Sequence, residues 1–354
     1  MFNKIIAARE FFNQGEAQLA NADYIGAIES YTSAIELNPA QPKVFNNRGN
    51  AKKNIGDIAG AIEDYTRQIE ISPQYTAPYI NRALWQTELG NFQLAIEDCN
   101  VVLDLETDNM KLAMTYQVLA RAKYKVGDYL GAIDAYTKII ELAPSEEDTE
   151  EAYECRAEVY RALGDHEQAI QDYNAIIKMS AKNGRAYACR GETKYEMGNL
   201  REAAADITRA ISLDLVGAEG ASYVTLAKIK EELGDVKGAI KILDSAVKFY
   251  NRMEIYHNRG YLKSNYLKDF SEAVVDFTKS LEIEPNAASY DGRGAARFML
   301  GDYAGAVEDF THCIEMDEST DAESYRRRGR ARQALGDFRG AQQDFQTAEE
   351  LERN

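Results

Sequence analysis

A chain of 354 residues with 41 basic and 58 acidic side chains carries a formal charge of -17, which argues against nonspecific attachment to nucleic acid or to an anionic membrane. No apolar run approaches the length of a membrane span, and the first residues lack the pattern of a secretory leader. The sequence therefore predicts a cytoplasmic protein without membrane attachment.

Taken in order, the chain repeats itself. Alanine recurs at Ala27, Ala61, Ala95, Ala132, Ala169, Ala203, Ala239, Ala273, Ala306 and Ala341. Counting copies from Ala8, Pro42, Thr76, Ala113, Glu150, Gly184, Gly220, Met253, Ala287 and Ala322, the spacings are 34, 34, 37, 37, 34, 36, 33, 34 and 35 residues. The fourth position is always aromatic (Phe11, Phe45, Tyr79, Tyr116, Tyr153, Tyr187, Tyr223, Tyr256, Tyr290, Tyr325), the eighth Gly or Ala, and the twentieth the recurring Ala. Two small residues let a pair of helices lie close, with the aromatic expected to fill the space beside them. Each copy is predicted to be a helical hairpin that cannot bury a core alone, so the copies must stack.

The punctuation agrees. Eight copies place Gly before Asp or Asn at the expected hairpin turn, as in Gly56-Asp57 and Gly336-Asp337, where Gly ends one helix and the polar residue caps the next. Pro39, Pro73, Pro144 and Pro285 fall after second helices, and Pro42 and Pro78 where first helices begin.

The set Tyr116, Ala120, Gly127, Tyr129, Ala132, Tyr136 and Pro144 resembles the signature of the tetratricopeptide repeat family, and the resemblance runs from Ala8 to the end of the chain. It implies an all-α, right-handed superhelical solenoid of antiparallel helix pairs. Residues 1–7 are expected to lead into a single solenoid over 8–354. It also implies a scaffold that holds a peptide or partner protein in a concave groove lined by first helices, with no enzymatic activity and no cofactor.

A second regularity is arginine at the seventh position paired with aspartate at the twenty-third. The predicted ion pairs are Arg48 with Asp64, Arg82 with Asp98, Arg156 with Asp172, Arg190 with Asp206, Arg259 with Asp276, Arg293 with Asp309 and Arg328 with Asp344. Copies one, four and seven lose both partners, as Gln14 and Ser30, Leu119 and Ala135, Leu226 and Ile242. Joint loss points to joint contact, within a hairpin or between neighbours, with the guanidinium partly buried. A ligand-binding arginine row is the alternative.

The groove positions of the first copies carry Asn13, Asn47 and Asn81, with Asn46 and Asn50 beside them. Asparagine is a poor helix former, and an amide row can hydrogen-bond an extended backbone, although the family pattern alone also supplies asparagine here. With Lys53, Arg121, Leu84 and Tyr124 nearby, this part of the groove suits a peptide with acidic and apolar side chains. Glu151, Glu154, Glu158, Glu192 and Glu231 turn the groove acidic in copies five to seven.

The ends differ. Gln342 and Glu349 give the last copy a polar outer face where earlier copies are apolar, consistent with a terminal repeat at Asn354. Phe2, Ile5, Ile6, Phe11 and Phe12 make the first end more apolar. The chain is expected to be monomeric, with self-association through that end as the alternative.

Other chemistries find little support. The cations needed to clamp a terminal carboxylate in the family manner are absent, since those positions hold Asn46, Asn50, Asn81, Met114 and Val118. Arg326, Arg327, Arg328, Arg330 and Arg332 could meet phosphate or nucleic acid, but Glu315, Asp317, Glu318, Asp321 and Glu323 precede them. His166, His257 and His312 lack metal-ligand spacing, and no phosphate loop or nucleophile elbow is present. Cys155 and Cys189 occupy equivalent positions, where adjacent helices are too far apart for an unstrained disulfide, so reduced thiols are expected. The reading is an interaction adaptor using the groove of the first four copies. The alternative is an architectural subunit that uses its outer face or first end.

Overall fold

Short turns between small, closely packed positions dictate antiparallel helix pairs, and the computed structural model consists of them. It describes residues 2–213, 220–316 and 322–353, and among these there is no strand. Asp317, Glu318, Asp321 and Asn354 lie outside the described residues, as does the side chain of Phe2.

Two compact units, Met1–Met179 and Ser180–Asn354, hold five hairpins each. The first contains α1 (Phe2–Ala20), α2 (Tyr24–Leu37), α3 (Val44–Asn54), α4 (Ile58–Ile71), α5 (Ala77–Glu88), α6 (Phe92–Leu105), α7 (Asn109–Lys125), α8 (Tyr129–Leu142), α9 (Glu146–Leu163) and α10 (His166–Met179). The second contains α11 (Gly184–Glu196), α12 (Leu200–Leu213), α13 (Gly220–Glu232), α14 (Val236–Ala246), α15 (Met253–Leu262), α16 (Phe270–Ile283), α17 (Ala287–Met299), α18 (Tyr303–Met316), α19 (Ala322–Ala334) and α20 (Phe338–Arg353). Residues 2–7, ahead of the first copy at Ala8, are helical and continuous with it in α1.

Each hairpin turn has the same cause. Eight glycines, from Gly56 to Gly336, take φ between 78 and 85°, a left-handed conformation that costs glycine nothing. Where aspartate follows, its side chain caps the second helix, as Asp57 Oδ1 does by accepting from the Gly60 backbone N–H at 3.0 Å. Hairpins one and eight have no glycine there, and Ala22 and Lys268 are forced to φ of 58 and 57°.

The ring that fills the hairpin is not the one the sequence pattern suggested. Tyr31, Tyr65 and Tyr173 are fully buried, and Phe277 and Phe310 nearly so, all from second helices. A Cβ on Gly49 would stand 2.7 Å from the Tyr65 ring, so the glycine is there to admit that ring. In the seven hairpins that carry a clamp arginine, the fourth-position aromatic lies under its guanidinium group instead. Core clusters join successive hairpins, as where Ala27, Tyr31 and Ala34 meet Val44, Phe45 and Ala51 with Ile28 and Ile35 packed alongside. Burying a side chain such as Phe277 contributes about 1.5–3 kcal/mol, which neither hairpin could collect alone.

One register needs correction. Arg259 and Asp276 are 17 residues apart, where Arg48 and Asp64 are 16 apart, so Ala273 and Asp276 are the twenty-first and twenty-fourth residues of their copy. The extra residue is absorbed in a π-helical turn over Lys263–Leu267.

Candidate functional site

All seven arginines stand against their aspartates through two nitrogens. In the third hairpin Arg82 Nε and Nη2 donate to Asp98 Oδ2 and Oδ1 at 2.8 and 2.6 Å. The Nη2 distances of the others are 2.5–2.7 Å. The aspartate side chains are no more than 9 % exposed, while the arginines retain 13–21 %. The aspartate lies in the arginine's own hairpin, and the guanidinium groups named next also reach back to the preceding one. Arg48, Arg82, Arg156, Arg293 and Arg328 donate Nη1 to Thr32, Thr66, Thr137, Thr278 and Thr311, and Arg259 pairs with Asp244 in the same place.

Two partners of this clamp escaped the sequence reading, although both recur at fixed offsets. One is that hydroxyl. The other is a second cation four residues after the arginine, seen in Lys52, Lys194, Lys263, Arg297 and Arg332, at 2.9–3.0 Å from the same aspartate. The second cation shifts the electrostatic balance. Burial pushes the Asp172 carboxyl up, beyond what Arg156 alone offsets. At Asp206 burial is opposed by Arg190 and Lys194 together, and the carboxyl falls below its ordinary range. Where the pair is lost, Leu119 and Ala135 pack in the core, as do Leu226 and Ile242, and Ser30 donates to Gln18 rather than meeting Gln14. The arginine row is spent on scaffold contacts.

On the first-helix face of the first unit the amides form a network with one another. Asn47 donates to Glu16 at 2.6 Å, Asn46 to Asn47 at 3.0 Å, and Asn81 to Asn46 and Asn50 at 3.1 and 3.3 Å. The buried hydroxyls of Tyr31 and Tyr65 donate into it, to Glu16 and to Asn50. Asn46 is buried, Asn47, Asn50 and Asn81 half-buried, and Asn13 exposed with no hydrogen bond among the described residues. Lys53 makes no ion pair there either, whereas Arg121 is held by Glu88 at 2.7 Å. Tyr124 is exposed beside Tyr129, and Leu84 turns away to pack on the core. The sequence had not linked Glu16, Tyr31 and Tyr65 to the amides, because Asn47 meets Glu16 across two hairpins and each tyrosine hydroxyl reaches its acceptor across the two helices of one hairpin.

The second unit contains a recess the sequence did not single out. A cavity of about 430 Å³ opens among α11, α13, α15 and the π-helical turn, lined by Tyr195, Lys228, Glu231, Glu232, Tyr261 and Tyr266 together with His257 and Asn258. Tyr266 donates its hydroxyl to Glu231 at 2.9 Å, and Tyr195 donates to Glu232. The carboxylate beside each phenol raises its pKa, for Tyr195 to about 12. His257 Nδ1 meets Ser289 Oγ at 2.9 Å, and burial followed by the charge of Lys228 lowers its pKa.

The remaining candidates resolve locally. Every arginine of the run Arg326, Arg327, Arg328, Arg330 and Arg332 lies within 4 Å of a carboxylate, from Glu323, Glu352, Asp291, Asp337 or Asp344. All four cysteines are free thiols. Among the described residues no group of three or more His, Cys, Asp or Glu could hold a metal, and no helix is long and apolar enough to cross a membrane.

Comparison with known proteins adds a family. Two models described as tetratricopeptide repeat match this chain, one over residues 118–184 and one over 42–75 and 254–286. Human tetratricopeptide repeat protein 13 is 36 % identical over 69 residues, a stretch that is 20 % of this chain and only 8 % of that protein. Among solved structures, the P58(IPK) TPR domain is 18 % identical with a TM-score of 0.32 over 98 % of both chains. MamA is 26 % identical with a TM-score of 0.44 over 48 % of this chain and 96 % of its own. Yeast Tom70 is 17 % identical with a TM-score of 0.40 over 98 % and 92 %. The matched segments coincide with hairpins whose small residues, caps and clamps recur along the chain, and the protein belongs to the tetratricopeptide repeat family.

Proposed function

We propose that this protein is an interaction scaffold that holds an extended segment of a partner against the first helices of its first four repeats. The observation that carries the reading is the network of Glu16, Asn46, Asn47, Asn50 and Asn81, which gathers polar side chains on the first helices of three neighbouring hairpins. Asn13 and the second amide hydrogen of Asn47 remain to meet a peptide backbone. Lys53 and the exposed Arg9 and Lys43 favour acidic side chains on that segment, and the exposed ring of Tyr124 favours apolar ones. A cytoplasmic adaptor acting as a monomer, without catalysis, is the corresponding cellular role.

Selection of a displayed random-peptide library on the full chain tests this. Acidic and apolar sequences should be enriched, and the Asn13→Ala, Asn47→Ala, Asn81→Ala variant, checked for equal helicity, should lose them. Enrichment unchanged in the variant would overturn the reading. Ile5 and Ile6, 48 and 45 % exposed on α1, support an architectural alternative in which that end docks on a partner.

A further inference from the structure

We propose that the recess in the second unit is a receptor for an arginine side chain of a partner segment. This does not rest on the reading of the first unit, which concerns other helices and the opposite charge.

The argument begins with unspent charge. Glu231 and Glu232 are neighbours on α13, and each accepts a tyrosine hydroxyl through Oε1, one from the preceding repeat and one from the following. Neither has any further hydrogen bond or ion pair among the described residues, in contrast to the clamp aspartates, whose oxygens are all engaged. Three phenol rings share the cavity, those of Tyr195, Tyr261 and Tyr266. Carboxylates beside ring faces suit a cation, and a guanidinium suits them best because it stacks on a ring while its fork donates to a carboxylate. An anion would be repelled, and an aliphatic side chain would leave the two carboxylates without a partner.

The repeat has also been altered at this spot. The residue inserted in the eighth copy leaves the Arg259 to Asp276 clamp intact, so packing does not call for it. Its product is the π-helical turn over Lys263–Leu267, which carries Tyr266 to Glu231 on the neighbouring repeat. Such turns bring side chains out of the regular helical register and are frequent at binding sites.

Lys228 is the internal counter-argument, and it sharpens the test. It lines the same cavity yet makes no ion pair with Glu231 or Glu232, so it offsets their charge only in part. An incoming guanidinium must displace or tolerate it.

The full chain with ring-labelled tyrosines would be titrated by NMR with a blocked pentapeptide bearing one central arginine, and with its citrulline twin, which has the same shape without the charge. The arginine peptide should shift the ring signals of Tyr195, Tyr261 and Tyr266. The citrulline peptide should need at least about tenfold more, and Glu231→Gln with Glu232→Gln should weaken the arginine peptide by at least about tenfold. Lys228→Met should tighten it, a gain that misfolding could not mimic. Equal response to citrulline, indifference to the glutamine substitutions, or no shift of these rings with either wild type or Lys228→Met would overturn the proposal.

Discussion

The arginine clamp is a side-chain device with three attachments, and each can be removed separately. Arg82 with Asp98 is the cleanest case, because Gln86 stands where other repeats place a second cation. Removing Arg82 alone leaves a carboxylate only 8 % exposed without its partner, so Arg82→Leu should cost about 3 kcal/mol, read as a lower urea midpoint. Adding Asp98→Ala should recover most of that loss, because the pair then becomes the Leu and Ala that the fourth repeat buries at Leu119 and Ala135. An unrecovered double variant would mean that the clamp contributes net stability beyond satisfying its own charges. The pairing was legible in the sequence through its joint losses. The hydroxyl on the preceding repeat was not, because its significance depends on which hairpin lies behind the arginine.

At the scale of the helical element, the turns decide where strain sits. Ala22 and Lys268 occupy the left-handed position that glycine fills in the other eight hairpins. Ala22→Gly or Lys268→Gly should therefore stabilise by about 1 kcal/mol, seen as a raised thermal midpoint, the released strain exceeding the added freedom of the unfolded chain. The connection between α6 and α7 is held differently. Glu106 accepts from Thr76 at 2.6 Å, from Lys111 at 2.9 Å, and from two backbone N–H groups. The Thr76 and Lys111 hydrogen bonds lower its pKa to about 2 from 4.5. A carboxyl depressed in the folded state stabilises fully above its unfolded value and loses that contribution as pH falls through its folded one. The stability difference between wild type and Glu106→Gln should thus be constant above about pH 5.5 and vanish toward about pH 2, measured by denaturant unfolding across that range.

For the whole molecule, the charge of -17 is a self-repulsion spread over the surface while the clamps are largely buried. Salt screens exposed charges far more than buried pairs, so the thermal midpoint should rise between low salt and roughly 0.15 M. A falling midpoint would show that exposed pairs such as Arg121 with Glu88 outweigh the repulsion.

The sequence by itself determined the all-α hairpins, their turns, the family and the arginine to aspartate pairs. Each of these is set by local periodicity or by a motif repeated often enough to expose its spacing. Tertiary structure decided what spacing alone cannot: that Tyr65 rather than Phe45 fills the space at Gly49, that Leu84 serves the core, and that the amides bind one another through Glu16 and Asn50. It also decided the recess around Glu231, because that site depends on one inserted residue and on three helices meeting. Repetition makes the rule visible in the sequence, and the exceptions acquire meaning only from the neighbours against which they pack.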